Sequence, residues 1–577
     1  MKKVLFLVII ACIVLTIAAC QKPKSEVAPA TAAATTTAAT KAADTTTQTT
    51  VQKTTNAPAT SQMQTTTASI ASTKEETVKT YDKPLKVSIC VTEAEKHGTH
   101  ARNEFIKDKF NLTFEYVPVN NADWNERIRT WVATDDTPDL IFWNLKGAQS
   151  NEYKTWARQG AFTPMQPEWF AENRPNLNRV YKSSPSIKAL SVDGTLYSWP
   201  SMRDTNPDAN NCYGSNWCYR RDWAQKVGLY KDNDTYTWDE WVNLIRAVLT
   251  EDPGKNGPGV TAGLVMYPAM FPCAASLFIN PPAAEGNETC TYIKVGDKYV
   301  WPPATDDYKK SVKITYDMYQ EGLIFKDNIL FNSREDRDMI MAGLAFATYN
   351  VNGSLNSITE SMLKSNIIEK EEDFGIAIII GYDGVWYMTQ TEDYWCITAF
   401  SRKITGEKIE RVLDFWDWIM TDDGIRLRWL GIEGKDFKRT GPNLRHVELL
   451  WAKDEASGRY INPYANYLFN EAISAEGNKD NAPGSVPYQY NEIARLWKTR
   501  GTTSIPKAIK PFDYYVAFGS APNKDQYGNF GTDTKTEIIR LMAQPGINIE
   551  AEWDKYVAGM MPKVQLVLDE INGGQLK

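Results

Sequence analysis

Residue types able to do covalent or metal chemistry are unevenly supplied in this chain. Of its 577 residues only three are histidines, His97, His100 and His446, and no HExxH stretch, paired CxxC or Cys/His cluster occurs. Zinc hydrolysis and thiol redox exchange therefore lack their usual residues. Carboxylates are plentiful, 71 Asp and Glu in all. A pair at the roughly 5–10 Å spacing used by two-carboxylate hydrolases can thus always be nominated, and no local motif singles one out. The unusual component is aromatic: 19 Trp, 28 Tyr and 20 Phe. An indole or phenol face covers an apolar ligand face, while amide, carboxylate and guanidinium groups pair with a polar rim. Aromatics at strand ends or in loops are the candidates for such a cleft: Trp143, Trp199, Trp217, Tyr219, Tyr349, Trp386 and Trp395, with Glu93, Asn144, Arg203 and Asn350 as polar companions. Trp223, Trp238, Trp241, Trp416 and Trp418 instead recur at helical spacing and read as core.

Sixty-four Lys and Arg against the 71 acids leave a formal charge of −7. No global positive field gathers phosphates, and nucleic acid is not an expected partner. The stretch 252–263, DPGKNGPGVTAG, resembles a calcium loop, which wants oxygen ligands at its first, third, fifth and ninth positions and glycine at the sixth. Asp252, Asn256 and Gly257 fit that pattern, but the third position is Gly254 and the ninth is Val260. With two side-chain oxygens gone, the expectation is a turn kept for its geometry, and no metal site is assigned.

Six cysteines remain once Cys12 and Cys20, near the N-terminus, are set aside. Cys212 and Cys218 bracket a five-residue loop, and Cys273 and Cys290 bracket a Pro/Gly/Ala-rich one, so both are candidate disulfides in an exported chain. Their connectivity stays open. Cys90 and Cys396 fall in strand-like runs and are expected as buried thiols.

The elements that must position these groups alternate. Residues 83–91 and 112–119 read as strands around a helix at 99–110. A helical stretch at 122–134 leads to another strand at 137–143. Helices are expected further on at 237–249, 307–320, 408–420 and 549–571. Such alternation implies a layered α/β fold.

Lys2 and Lys3 precede an apolar run, Val4 to Ala19, which is short of the about 20 residues that span a bilayer and fits an export signal. Its end, Ile17-Ala18-Ala19-Cys20, resembles the bacterial lipoprotein signal. That resemblance implies that residues 1–19 are removed and that Cys20 becomes a palmitate-bearing lipid anchor; two acyl chains hold a bilayer where one is marginal. Residues 21–80 contain 19 Thr and 13 Ala, with no aromatic and no Leu. Too little apolar surface is present to offset chain entropy, so 20–82 is expected to be a disordered tether and 83–577 the folded part.

Within the folded part an ordered series of segments resembles a known family: ATDDTPDLIFW, NEYKTWARQGAFTPM, VDGTLYSWPSMR, NWCYRRDWAQKVGL, YTWDEWVNLIRAVLTEDP, LGIEGKDF and EAEWDKYV. Together they are similar to the LplA-like extracellular solute-binding lipoproteins, family 1 binding proteins of ABC sugar importers. The resemblance implies a two-lobed α/β fold of the periplasmic-binding-protein type II, with interleaved lobes and a ligand cleft between them. It further implies capture of a carbohydrate, usually an oligosaccharide, and its delivery to membrane permease subunits without enzymatic turnover or a cofactor. The place of action would be the extracellular face of the cell membrane, of Gram-positive type. A peptide or signal receptor on the same fold, and an exported glycan-active enzyme, are the alternatives.

Overall fold

From residue 85 onward, β-branched runs separated by helix formers build two sheets, each covered by helices. The computed structural model describes residues 80–576 apart from 93, 99–100, 121–122, 146–147, 167, 203–214, 267–291, 332–333, 352–353, 382–383, 390–392, 443–445, 456–457, 459, 465–487, 511–512 and 528–530. The chain divides into two units, 1–77 and 78–577, and every described residue belongs to the second.

The strands of the two main sheets are β1 (Leu85–Thr92), β2 (Leu112–Val119), β3 (Leu140–Trp143), β4 (Ser198–Met202), β5 (Ser215–Arg220), β6 (Ala262–Met266), β7 (Ala345–Val351), β8 (Phe374–Ile376) and β9 (Tyr394–Phe400). The helices used below are α1 (Arg102–Phe110), α2 (Trp124–Thr134), α3 (Trp238–Glu251), α4 (Asp306–Glu321), α5 (Glu407–Ile419), α6 (Tyr488–Thr502), α7 (Tyr514–Phe518) and α8 (Ile549–Asn572). Their caps explain their limits. Thr237 and Glu240 close a capping box at the start of α3, satisfying backbone donors that the helix cannot, and Asp252 ends it in the left-handed region. Asn111 ends α1 in the same way and leads straight into β2.

Lobe 1 has the strand order β2-β1-β3-β9-β4. Strands β1, β2 and β3 run parallel, and β9 is antiparallel to both β3 and β4. Val87, Ile89, Leu140, Ile141, Phe142, Ile397 and Phe400 fill its core with Val412, Leu413, Phe415 and Trp416 of α5. Such strands are buried on both faces, which is why LIFW in β3 is an unbroken apolar run rather than an alternation. Lobe 2 has the order β8-β5-β7-β6. Its β5 alternates between two cores: Trp217 and Tyr219 pack toward α3 and α4, and Cys218 packs toward Leu355, Ile358 and Ile493. Burying one large aromatic in either core contributes about 3–5 kcal/mol, judged by the cost of truncating it.

The lobes interleave in sequence. The chain leaves lobe 1 after β4, builds lobe 2, returns for β9 and α5, and re-enters lobe 2 with the helix Asp422–Leu430. This is the two-lobed α/β arrangement expected, with lobe 1 in the type II strand order. Among the described residues, no helix is long and apolar enough to cross a membrane.

Candidate functional site

In open α/β sheets, ligands bind outside the carboxyl ends of the strands, where backbone groups run out of ladder partners. Each main sheet has such an end. In lobe 1 it is formed by Thr92, Val119, Trp143 and Met202, with Tyr394 starting the antiparallel β9 beside Met202. In lobe 2 it is formed by Met266 and Val351, with Ser215 starting the antiparallel β5 opposite Val351. The segment between Met202 and Ser215 therefore links the carboxyl end of one sheet to that of the other.

The polar candidates fall at these ends. Asn144 directly follows β3 and is half-buried, and its Oδ1 is buried with no hydrogen-bond partner among the described residues. Asn350 is the penultimate residue of β7 and pairs with Asn216 of β5; its side chain lies outside the described residues. Glu93 follows β1 and Arg203 follows β4, and both lie outside the described residues. Asn216, which loop-by-loop reading overlooked, is half-buried at the same end. Its signal was the polar residue immediately before Trp217 at a strand start.

The aromatic candidates are corrected by burial. Trp143 is fully buried, donates its indole N–H to Asn125 Oδ1 at 2.9 Å and stacks on Trp156 at 5.4 Å. Trp199 is equally buried, edge-on to Phe170. Trp217, Tyr219 and Tyr349 belong to the aromatic core of lobe 2, and Trp386 belongs to the core on its other face. Tyr219 donates its hydroxyl to Asp234 at 2.5 Å; burial, with the Asp234 charge adding, raises its pKa far above the ordinary phenol value. All six side chains are buried. Trp395 sits in β9, and its side chain lies outside the described residues. The helical tryptophans behave as expected: Trp223, Trp238, Trp241 and Trp416 are buried and Trp418 is half-buried.

What fixes β5 is a buried charge network that the sequence did not reveal. Arg221, just past β5, donates to both oxygens of Asp234 at 2.8 Å, to Glu492 of α6 at 2.9 Å and to Tyr488 Oη at 2.9 Å. Arg495 adds contacts to Glu492 at 2.8 Å and to Asp234 at 3.3 Å. Burial pushes the Glu492 carboxyl up, but Arg495 and Arg221 more than offset it and hold it below the usual range. Two cations and two anions balance, as buried charges must.

The lobes also touch directly. Arg102 of α1 donates to the Tyr464 carbonyl, and Phe105 stacks on Trp418 at 4.9 Å where the lobe 1 core meets that of lobe 2. Near the second crossing, Asp393 accepts from Ser184 at 2.6 Å and from Tyr514 of α7 at 2.9 Å, so the start of β9 is pinned to lobe 1.

Cys218 is a free, buried thiol in β5, packed into a core, which corrects the expected Cys212–Cys218 bond. Cys212, Cys273 and Cys290 lie outside the described residues. Cys90 and Cys396 are both buried, as expected. The 252–263 loop does not fit a calcium ion: a Cβ at Gly254, where the third ligand would begin, would lie 2.5 Å from the Trp223 ring.

No family model matches the chain. It is 22% identical over 327 residues to Lipoprotein LipO of Bacillus subtilis (strain 168), covering 56% of this chain and 60% of that one. Over 353 residues it is 22% identical to the polygalacturonan/rhamnogalacturonan-binding protein YtcQ of the same organism, covering 59% and 65%. The chain thus spans less than two thirds of the length of these curated relatives. Among solved structures it is similar to the alginate-binding protein AlgQ2 without calcium ion, with TM-score 0.57, 15% identity and coverage of 86% and 99%. It is also similar to an EF-hand mutant of the S. pneumoniae substrate-binding protein FusA in complex with fructo-nystose, with TM-score 0.58, 16% identity and coverage of 85% and 100%. A third is an HMO-binding, ABC-transporter-associated solute-binding protein of Bifidobacterium longum infantis, with TM-score 0.55, 15% identity and coverage of 85% and 98%. These matches are binding proteins, and the fold of residues 80–576 is that of the two-lobed solute-binding proteins of ABC transporters.

Proposed function

We propose that the chain is a lipid-anchored extracellular receptor that captures an oligosaccharide between its lobes and hands it to an ABC permease. The observation that carries this reading is the Asn144 amide oxygen just past β3, at the carboxyl end of the lobe 1 sheet, which is buried with no hydrogen-bond partner among the described residues. Sugar hydroxyls are the partners such an oxygen lacks, and a buried polar group left unpaired costs about 1–3 kcal/mol, enough to reject a wrong hydroxyl pattern. The carbohydrate class is supported by a relative named for binding polygalacturonan/rhamnogalacturonan and by similar folds, one named for HMO binding and one in complex with fructo-nystose.

Capture is mechanical on this reading. Closure is favoured by contacts the closed form makes and the open form lacks, and the substrate leaves unchanged. Residues 1–19 direct export, Cys20 carries the acyl chains and 20–82 is the tether. Thermal-shift screening of plant and microbial oligosaccharides tests the ligand class: a true ligand at 100 times its Kd stabilises by about 2.7 kcal/mol. Cys20→Ala tests the anchor, which should leave the protein in the soluble fraction; retention in the membrane pellet counts against it.

A further inference from the structure

The loop after α3 carries a device independent of ligand capture. In a calcium loop the cation draws the first ligand and later oxygens together. Here the Asp252 carboxylate is satisfied from within the chain: Oδ1 accepts the Thr261 hydroxyl and the Asn256 N–H at 3.3 Å, and Oδ2 accepts the Gly257 N–H at 2.8 Å. Asn256 Nδ2 in turn donates to Thr261 Oγ1 and to the Gly343 carbonyl, both at 3.0 Å. The Thr261 hydroxyl is thus both donor and acceptor at the loop's centre. The loop's third position is filled from the side by Trp223, whose ring lies 4.6 Å under the Arg220 guanidinium.

We propose that the Thr261 hydroxyl takes the place of a cation, making 252–261 a cation-free staple that sets the passage from α3 to β6 and ties it to Gly343 in the turn before β7. Several features point the same way. Asp252 supplies the loop's only side-chain carboxylate, so a divalent ion would find one negative charge where a sensor or buffer site gathers several. The Thr261 hydrogen bond and then the Gly257 N–H hold the Asp252 carboxyl below its ordinary range, so the ionised, hydrogen-bonded form is the resident one. The Gly343 link reaches the turn that launches β7, the strand carrying Asn350 to the cleft end.

Thermal unfolding of the full chain, stripped with chelator and then given millimolar calcium, tests this. The wild-type midpoint should not move. Thr261→Val should lower it by about 1–4 °C, through loss of a hydrogen bond to a charged acceptor. Thr261→Ser, which keeps the hydroxyl, should recover most of that loss, and calcium should not rescue Thr261→Val. Gly254→Asp should lower the midpoint without creating calcium binding, because its side chain must displace Trp223. A calcium-dependent rise in the wild type, or a stoichiometric calorimetric heat abolished by Asp252→Ala, overturns the proposal. So does a Thr261→Val midpoint equal to wild type, and if that variant fails to fold, a Thr261→Ser midpoint as low as that of Asp252→Ala decides against the hydroxyl.

Discussion

Trp217 and Tyr349 stand opposite each other across the β5–β7 ladder, ring centroids 5.2 Å apart and planes 60° to one another, in the buried aromatic core of lobe 2. Both lie one residue from the polar pair Asn216 and Asn350, the next-to-last pair of the same ladder. The aromatic pair packs this part of the ladder into the lobe 2 core. Trp217→Ala should therefore cost about 3–5 kcal/mol of stability in denaturant unfolding. A variant with wild-type stability and altered ligand affinity would place Trp217 in the cleft instead.

The Arg221–Asp234–Glu492–Arg495 network makes a second prediction. Glu492→Gln removes one anion from a buried, balanced set and should cost about 3–5 kcal/mol. Gly375→Ala should be comparably harmful, since its Cβ would fall 2.0 Å from the Arg221 guanidinium carbon. The Glu492 pKa is depressed in the folded protein, so its contribution is complete above the ordinary carboxyl range and is lost as pH falls through the folded value. Acid unfolding of Glu492→Gln should accordingly show a weaker pH dependence than wild type.

Lys154 should give an alkaline signature. Its ammonium donates to the Phe518 carbonyl at the end of α7, and burial, with Lys524 and Arg158 adding, lowers its pKa to about 8. Asp525 and Asp193 oppose that shift. The folded protein then sheds this proton before the unfolded chain does, so between pH 8 and the ordinary lysine value the unfolded state binds more protons and stability rises with pH. The gain is at most about 3 kcal/mol. Denaturant unfolding of Lys154→Met against wild type from pH 7 to 10.5 should show the slope flattened; identical slopes would contradict the assignment.

Cys218 should resist alkylation in the native protein and react after unfolding, because burial pushes its thiol up to about 12. Cys90, likewise pushed up to about 12 by burial, should behave the same way. Mass spectrometry that finds Cys218 in a disulfide-linked peptide would contradict this.

How much of this was legible in the sequence depended on range. The helix expected at 408–420 is α5, Glu407–Ile419, and that at 549–571 is α8, Ile549–Asn572, because periodicity and caps are local. The strand expected at 112–119 is β2, Leu112–Val119. Which face an aromatic strand residue presents was not legible. In lobe 1, Trp143 and Asn144 differ by one residue, yet the first is core and the second is half-buried just past the strand. Nor could Arg221 be paired with Glu492, 271 positions away, without the topology.

The central claim is that an oligosaccharide binds at the strand ends between the lobes and is not turned over. Calorimetric titration of the full chain and of Asn144→Ala, using oligogalacturonide, alginate and fructan oligosaccharides, tests it most directly. The account predicts saturable one-site binding to at least one of them, weakened about tenfold or more in Asn144→Ala, with the sugar recovered intact. No saturable binding to any of them, affinity unchanged by Asn144→Ala, or cleavage of the sugar would contradict it.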